Sequence, residues 1–356
     1  MSERPKIFGN LVAEVIRKKT CVTCGGCDAV CPVNTVKIID GTPKLVGLCI
    51  SCQLCYWNCP VASFDIAEME EGIFGRTRTE EEAPIGVHKA IYAVKSKYDE
   101  VLNNAQDGGA VTAILYQFLS DDGDGAVVAG FEEDRPWAVK PIVVTSKEGI
   151  LEGAGTKYTN SPSLVGVASA IQEYALENIA LVGTSCQMKG IRNIESDPWS
   201  DKRIKNTVGL RVGVFCMETF DYSNFMDYLE GEGIDAAKVE KFQIQKGRFI
   251  ALQDGEEIHN VEIAAVKSLV RQCCHTCGDF SAEFADLSVG NVGSPEGWST
   301  VIVRTDIGEE ALGAAQKAGL VEVKPLKEGK RGLALVEKLA TRKKKDAARA
   351  MKMEKV

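Results

Sequence analysis

The chain has 356 residues, of which 45% are hydrophobic and 26% charged, with a formal net charge of −8. That is enough material for two or three domains, and the acidic balance argues against a general nucleic-acid binder, which needs a basic footprint. No apolar run is long enough for a membrane span, and the first ten residues lack the apolar core of a signal peptide, so the thirteen cysteines are expected to sit in a reducing cytoplasm and serve metal.

Residues 7–19 have the apolar spacing of a packing helix. They lead into C-V-T-C-G-G-C-D-A-V-C-P at 21–32, followed by C-I-S-C-Q-L-C-Y-W-N-C-P at 49–60. Each is the C-x2-C-x2-C-x3-C-P run of bacterial ferredoxins, in which the fourth cysteine ligates the other cluster. The spacing predicts one 4Fe–4S cluster on Cys21, Cys24, Cys27 and Cys59, and a second on Cys49, Cys52, Cys55 and Cys31. Zinc sites favour two C-x2-C pairs, and disulfide frameworks favour secreted chains, so neither matches this pattern. Asp40-Gly41 between β-branched residues predicts a hairpin, and S-F-D-I at 63–66 a short return strand. The module is expected to end at residue 71, with 72–88 as a charged, Gly/Pro-punctuated linker and His88 solvated.

From residue 89 to 325, strands alternate with helices and a β-meander turns at Asp254-Gly255. The predicted class is α+β, with a two-cluster ferredoxin domain (1–71) ahead of a mixed α/β domain. Residues 326–356 are expected to form a basic C-terminal helix. From Val321 onward there are twelve Lys/Arg against five Asp/Glu, read as a solvated helix with one face on the core.

Cys186 and Cys216 each follow a predicted strand, and Cys274 and Cys277 form a C-x2-C pair. These four could hold a third cluster or zinc, or Cys186 and Cys216 could be small buried apolar residues. Cys273 reads as a bystander, because adjacent residues rarely ligate together. Asp107-Gly108-Gly109 precedes a helix, where backbone N–H groups can meet phosphate, and Gly155-Thr156-Lys157-Tyr158 adds a hydroxyl and a cation. Gly290, Gly293 and Gly297 punctuate a third loop. Together these suggest a nucleotide cofactor such as a flavin. Gly231-x-Gly233-x-x-Ala236 follows a helix rather than a strand and is not a dinucleotide-binding turn.

From about Lys89 onward the chain resembles the beta subunit of coenzyme F420-reducing hydrogenase and its relatives. The resemblance is carried by A-Q-D-G-G-A-V-T, A-G-T-K-Y-T-N-S-P, C-Q-M-K-G-I-R, V-G-V-F-C-M-E-T-F and the long run from C-H-T-C-G-D to T-V-I-V-R-T. It implies a domain that binds FAD and one 4Fe–4S cluster and uses coenzyme F420 as substrate, with Cys186, Cys216, Cys274 and Cys277 as ligands. It also implies FAD contacts at Asp107, Gly108, Gly109, Thr112, Gly155, Thr156, Lys157 and Tyr158. Lys189 and Arg192 are candidates for anionic cofactor groups, the alternative being an ordinary exposed helix face. With the fused ferredoxin, the chain looks like the electron-input subunit of F420H2 dehydrogenases. The implied activity is hydride exchange between F420H2 and FAD, then single-electron transfer through three clusters to a partner complex. The alternative is an electron relay within a hydrogenase, formate dehydrogenase or heterodisulfide reductase complex, without its own F420 site. Any contact with a membrane would pass through a partner.

Overall fold

A computed structural model describes residues 5–327 and 332–353. Residues 1–4, 328–331 and 354–356, at the expected ends of the ferredoxin domain and within the expected basic C-terminal segment, lie outside the described residues. The N-terminal module opens with a helical turn, Phe8–Leu11, that widens over Val12–Ile16. Its Phe8, Leu11 and Val15 pack on Val36, Cys55 and Tyr56. Strands β1 (Val36–Ile39) and β2 (Thr42–Leu45) pair antiparallel. Asp40 and Gly41 between them both have positive φ (50° and 67°), the geometry that a two-residue hairpin loop requires. Short helices Gly26–Ala29 and Leu54–Trp57 stop just before Cys31-Pro32 and Cys59-Pro60.

The return strand expected at 63–66 is absent. The Asp65 carboxylate instead accepts from Glu68 N–H and caps a helix, Ile66–Phe74, which runs through residue 71. The segment 72–88 is anchored rather than loose. Arg76 pairs with Glu82, Arg78 joins Glu70 to Glu283, and Ile85 and Val87 are buried. Its charges find partners within the chain, which the pattern of charge and glycine alone did not reveal.

The large domain is built on β3 (Ala90–Ser96), β4 (Gly125–Phe131), β5 (Val139–Val144), β6 (Ile179–Thr184) and β7 (Val208–Val214). A meander of β8 (Lys241–Gln245), β9 (Arg248–Gln253) and β10 (Glu256–Glu262) follows as a separate sheet, and β11 (Leu287–Gly290), β12 (Ser299–Val303) and β13 (Val321–Pro325) rejoin the main one. The order is β13-β3-β12-β11-β7-β6-β4-β5, with β4, β6, β7 and β11 mutually parallel and the flanking strands antiparallel. Side chains alternate across it. Ala126, Val128 and Leu210 pack toward helices Ala110–Ser120 and Asp306–Lys317. Val127, Ile179 and Leu181 pack toward helices Ser163–Gln172 and Ser185–Ser196. The result is a mixed sheet between two helical layers. The helix Asp306–Lys317 and the edge strand β13 were not read from the sequence; β13 is short and charged on its open face.

In the meander, Phe242 and Phe249 join Phe220 and Phe225 in a separate aromatic core. The helix Tyr222–Gly231 ends at Gly231, so the G-x-G-x-x-A stretch does follow a helix. The C-terminal helix Leu333–Met353 buries Val336, Ala340, Lys343 and Ala347, one face at helical spacing. The N-terminal module shares a core with the second helical layer, where Cys24, Ala29, Val30 and Met69 pack with Leu164, Val167, Met188 and Ile191. Leu164 N–H donates to the Cys24 carbonyl at 3.0 Å, and Asn58 donates to the Asp197 carboxylate at 2.6 Å.

Candidate cofactor sites

All thirteen cysteines are free thiols. The two short helices of the N-terminal module turn each fourth cysteine away from its own run. Cys21, Cys24, Cys27 and Cys59 line one hollow together with Leu11, Val15 and Ile16. Cys31, Cys49, Cys52 and Cys55 line another, with Phe8, Val36 and Ile50. Burial, and then the neighbouring thiols, push Cys24 and Cys27 well above the ordinary thiol range, and Cys55 up to about 12. Thiolates at Cys24, Cys27 and Cys55 therefore need a cation to stabilise them, whereas at Cys31, against the cost of burial, hydrogen bonds from Thr35 lower the thiol.

The other cysteines lie where the main sheet ends. Cys186 follows β6 as the second residue of its helix, Cys216 follows β7 by two residues, and Cys274 and Cys277 flank the end of the short helix Gln272–His275. The Thr184 hydroxyl lies 3.2 Å from Cys186 Sγ. Thr219 N–H donates to Cys274 Sγ at 3.5 Å. Burial, with the thiols of Cys277 and Cys274 adding to it, pushes Cys186 up to about 11. Cys216 is raised by the same burial and by Cys274, Cys186 and Cys277. Cys186 and Cys216 thus each lie within electrostatic reach of Cys274 and Cys277. Cys273 is buried beside Cys274 in the same short helix. Among the described residues, no three Cys, His, Asp or Glu side chains are grouped as a site for a single metal ion. Lys343 Nζ donates to the carbonyls of Cys216 and Asp279.

The carboxyl ends of β3, β6, β7 and β11 share one edge of the sheet, the edge at which open α/β sheets bind ligands. Ser96 N–H donates to the Gly108 carbonyl, which brings Asp107-Gly108-Gly109 to this edge. The helix Ala110–Ser120 starts at Gly109 (φ 67°) with no side-chain cap. Asp107 is half-buried. Burial raises its carboxyl above the usual range, against a hydrogen bond from Asn291 and the nearby charge of Lys241. Gly108 has a packing reason of its own, since a Cβ there would lie 2.4 Å from Ser299 N and 2.6 Å from Val94 O. Thr112 is buried in the same helix, Gly155 has φ 77°, and Thr156 is exposed.

Three expected cofactor contacts are already committed elsewhere. Lys157 Nζ donates to the carbonyls of Gly153 (2.7 Å) and Ala154 (2.5 Å), and burial lowers its pKa to about 8. Tyr158 stacks on Phe220 in the meander's aromatic core, and burial raises its phenol. Arg192 corrects the sequence reading in both its forms, as it is neither a free cation nor an exposed one. Its guanidinium donates to the Phe284 carbonyl, Glu195 and Asp286, inside a network completed by Arg211. Lys189 lies over the rings of Phe64 and Phe284, at the seam with the N-terminal module. The sequence reading did not single out Thr219 and Asn291, although both lie in the stretches that carry the resemblance, nor Lys241, Arg271 and Lys343.

Residues 91–165 match the family model for the N-terminal part of the coenzyme F420 hydrogenase/dehydrogenase beta chain, and residues 176–329 match the model for its C-terminal part. The chain is 39% identical over 267 residues to the coenzyme F420 hydrogenase subunit beta of Methanothermobacter thermautotrophicus, covering 74% of this chain and 94% of that protein. The chain belongs to the coenzyme F420 hydrogenase/dehydrogenase beta-subunit family. Within it, the F subunit of the F(420)H(2) dehydrogenase of Methanosarcina mazei is 30% identical over 352 residues, covering 95% of this chain and 93% of that one. That span takes in the cysteine-rich module, which precedes both family models. A chain of the F420-reducing [NiFe] hydrogenase complex from Methanosarcina barkeri superposes with a TM-score of 0.72 at 34% identity, over 76% of this chain and 93% of its own. The third group of thiols falls within the C-terminal family model, Asp107 to Tyr158 within the N-terminal one, and Lys343 beyond both.

Proposed function

We propose that this chain is an F420-linked flavin and iron–sulfur oxidoreductase subunit. It exchanges hydride between F420H2 and FAD and passes single electrons through three 4Fe–4S clusters to a partner complex. FAD, when bound, converts between two-electron and one-electron chemistry, and the clusters carry one electron at a time. The observation that carries this reading is the succession of thiol groups. The set at the sheet edge (Cys186, Cys216, Cys274, Cys277) adjoins the inner set (Cys21, Cys24, Cys27, Cys59), since a Cβ on Gly190, in the helix that carries Cys186, would lie 3.4 Å from Cys24 Sγ, and Arg271, beside the helix of Cys274, donates to the Cys21 carbonyl. The outer set (Cys31, Cys49, Cys52, Cys55) ends at solvent, where Cys49 and Cys52 are exposed.

The residues present fit these groups. Each set supplies four thiols, and burial makes Cys24, Cys27, Cys55, Cys59, Cys186 and Cys216 resist ionisation until a cation arrives. Thr184 and Thr219 hold Cys186 and Cys274 in place by hydrogen bonds to sulfur, the contacts that tune a cluster's potential. The open N-terminus of the helix Ala110–Ser120 and the half-buried Asp107 provide a cradle for an anionic cofactor with its polar ring groups. Residues 1–71 act as the ferredoxin-like unit. The chain works in the cytoplasm and meets a membrane only through its partner; among the described residues, no helix is long and apolar enough to cross one.

A relay without its own F420 site is the second reading. It is favoured by the engagement of Lys157, Tyr158 and Arg192 within the protein, which leaves fewer cations for anionic cofactors. An anaerobic assay separates the two. Holoprotein loaded with FAD is mixed with F420H2 and a viologen dye, with NADH in parallel. Dye reduction by F420H2 alone supports the oxidoreductase. An iron-replete protein that binds no flavin and shows no turnover supports the relay.

A further inference from the structure

Lys343 lies in a run of cations, R-K-K-K at 342–345, yet it is only 5% exposed. Helical phase explains this, because it shares a face with Val336, Ala340 and Ala347. Its neighbour Lys344 has a carboxylate partner, Glu283, and also reaches the Ala83 carbonyl. Lys343 reaches only backbone oxygens, those of Cys216 (2.5 Å) and Asp279 (2.9 Å). Among the described residues it forms no ion pair, and the adjacent Asp279 carboxylate accepts from Glu283 N–H. A buried ammonium needs compensating negative charge. The negative groups near it are the thiols of Cys277, Cys216 and Cys274 and the Asp279 carboxylate, which already accepts from Glu283 N–H; Cys216 carries one of the carbonyls that Lys343 binds, and Cys277 lies two residues before the other.

We propose that Lys343 is the fixed counter-charge of the sheet-edge cluster, holding its reduction potential up by stabilising the added electron. The proposal rests on the reading that Cys186, Cys216, Cys274 and Cys277 hold a 4Fe–4S cluster. A thiolate-ligated cluster is anionic and gains one more negative charge on reduction. A buried cation beside it therefore favours the reduced form, more strongly in a low dielectric than in water. Lys343 does not touch the reacting atoms; it acts through the cluster and is a positioning residue. It also lies past residue 329, where the family match ends, so the device belongs to this chain's C-terminal helix.

The test uses the full chain purified anaerobically as wild type, K343M, K343Q and K343R. The readouts are iron content and potentiometric EPR of each cluster. In the neutral variants one of three cluster signals is expected to shift down by an amount equal to at least a tenfold change in its reduction equilibrium, ~59 mV for one electron. The other two signals stay put, and K343R stays near wild type. Unchanged potentials in an iron-replete K343M or K343Q overturn the proposal. Where the neutral variants lose one cluster's iron, retention in K343R supports the counter-charge, and loss in all three assigns Lys343 to packing and overturns it. A wild-type chain with iron for only two clusters overturns the underlying reading, and the proposal with it, before any variant is made.

Discussion

The Arg271 guanidinium donates to the Thr23 hydroxyl at 2.7 Å, and to the carbonyls of Cys21 and Val22 at 3.3 and 3.2 Å. Arg271 immediately precedes the helix that carries Cys274, and Thr23 sits inside the first cysteine run. One side chain therefore ties the sheet-edge thiol loop to the inner one. A hydrogen bond to a charged group contributes about 1.5–3 kcal/mol. Arg271→Met is expected to lower the amide protection of residues 21–25 about ten- to a hundredfold in anaerobic hydrogen exchange, with the main sheet unaffected. Unchanged protection there would mean that the shared apolar core alone holds the seam.

Gly25 is the closest backbone approach in that seam. Its φ is +90°, and a Cβ would lie 2.8 Å from both Pro162 O and Val165 N. Gly41 also has positive φ (+67°) but open space around it. Alanine at either site carries the backbone strain of that region, about 1–3 kcal/mol. Only Gly25→Ala should also push the module off the helix Ser163–Gln172. The expected result is loss of protection at the Leu164 amide, which donates to Cys24 O, in Gly25→Ala and not in Gly41→Ala. Equal behaviour of the two variants would remove the steric argument.

What could be read in the sequence was local. The hairpin at Asp40-Gly41, the meander turn at Asp254-Gly255, and strands such as Gly125–Phe131 announce themselves by turn chemistry and β-branched runs. Within each cysteine run the first three thiols meet locally, whereas the fourth lines the other run's hollow, a crossing that no local propensity dictates. Arg192 could not be read this way, because its partners Phe284 and Asp286 lie more than ninety residues on. Ser63–Ile66 looked like a strand because the capping role of Asp65 depends on the helix after it. In the run at 342–345, the composition marks a basic surface. Only the helix phase, set by packing on Ile85, Phe280 and Ile302, turns Lys343 inward.

The buried network of Arg192, Arg211, Glu195 and Asp286 yields a sharp contrast. Asp286 is fully buried; against the cost of burial, the guanidiniums of Arg192 and Arg211 hold its carboxyl below the usual range. Removing one member leaves charge without its partner, which costs about 3–5 kcal/mol. Arg192→Met should therefore lower the thermal midpoint markedly, while flavin titration of the folded fraction gives an unchanged dissociation constant. A selective loss of flavin affinity with the midpoint intact would return Arg192 to the cofactor site.

On the proposed reading, the depth of the three thiol sets makes the outer set the point of exchange with a protein partner. Cys24 is buried against the second helical layer, whereas Cys49 and Cys52 are exposed beside Leu48 (89% exposed) and Ile50 (58%). An electron leaving for a protein partner should therefore leave from the outer set. Replacing Cys49 and Cys52 together by serine is expected to remove about four irons per chain, one cubane's worth. Flavin reduction by F420H2 in a single turnover should be unaffected, because the sheet edge lies beyond the inner set. A small viologen can still approach the remaining clusters, but a protein-sized acceptor cannot reach past the module's surface. The double variant should thus keep dye reduction and lose protein reduction. If both persist, electrons leave from the sheet-edge or inner set, and the outer thiols serve the module's fold rather than its traffic. If both vanish together with flavin reduction, the outer set is needed to assemble the whole electron path, and its iron must be restored before any order of transfer can be argued.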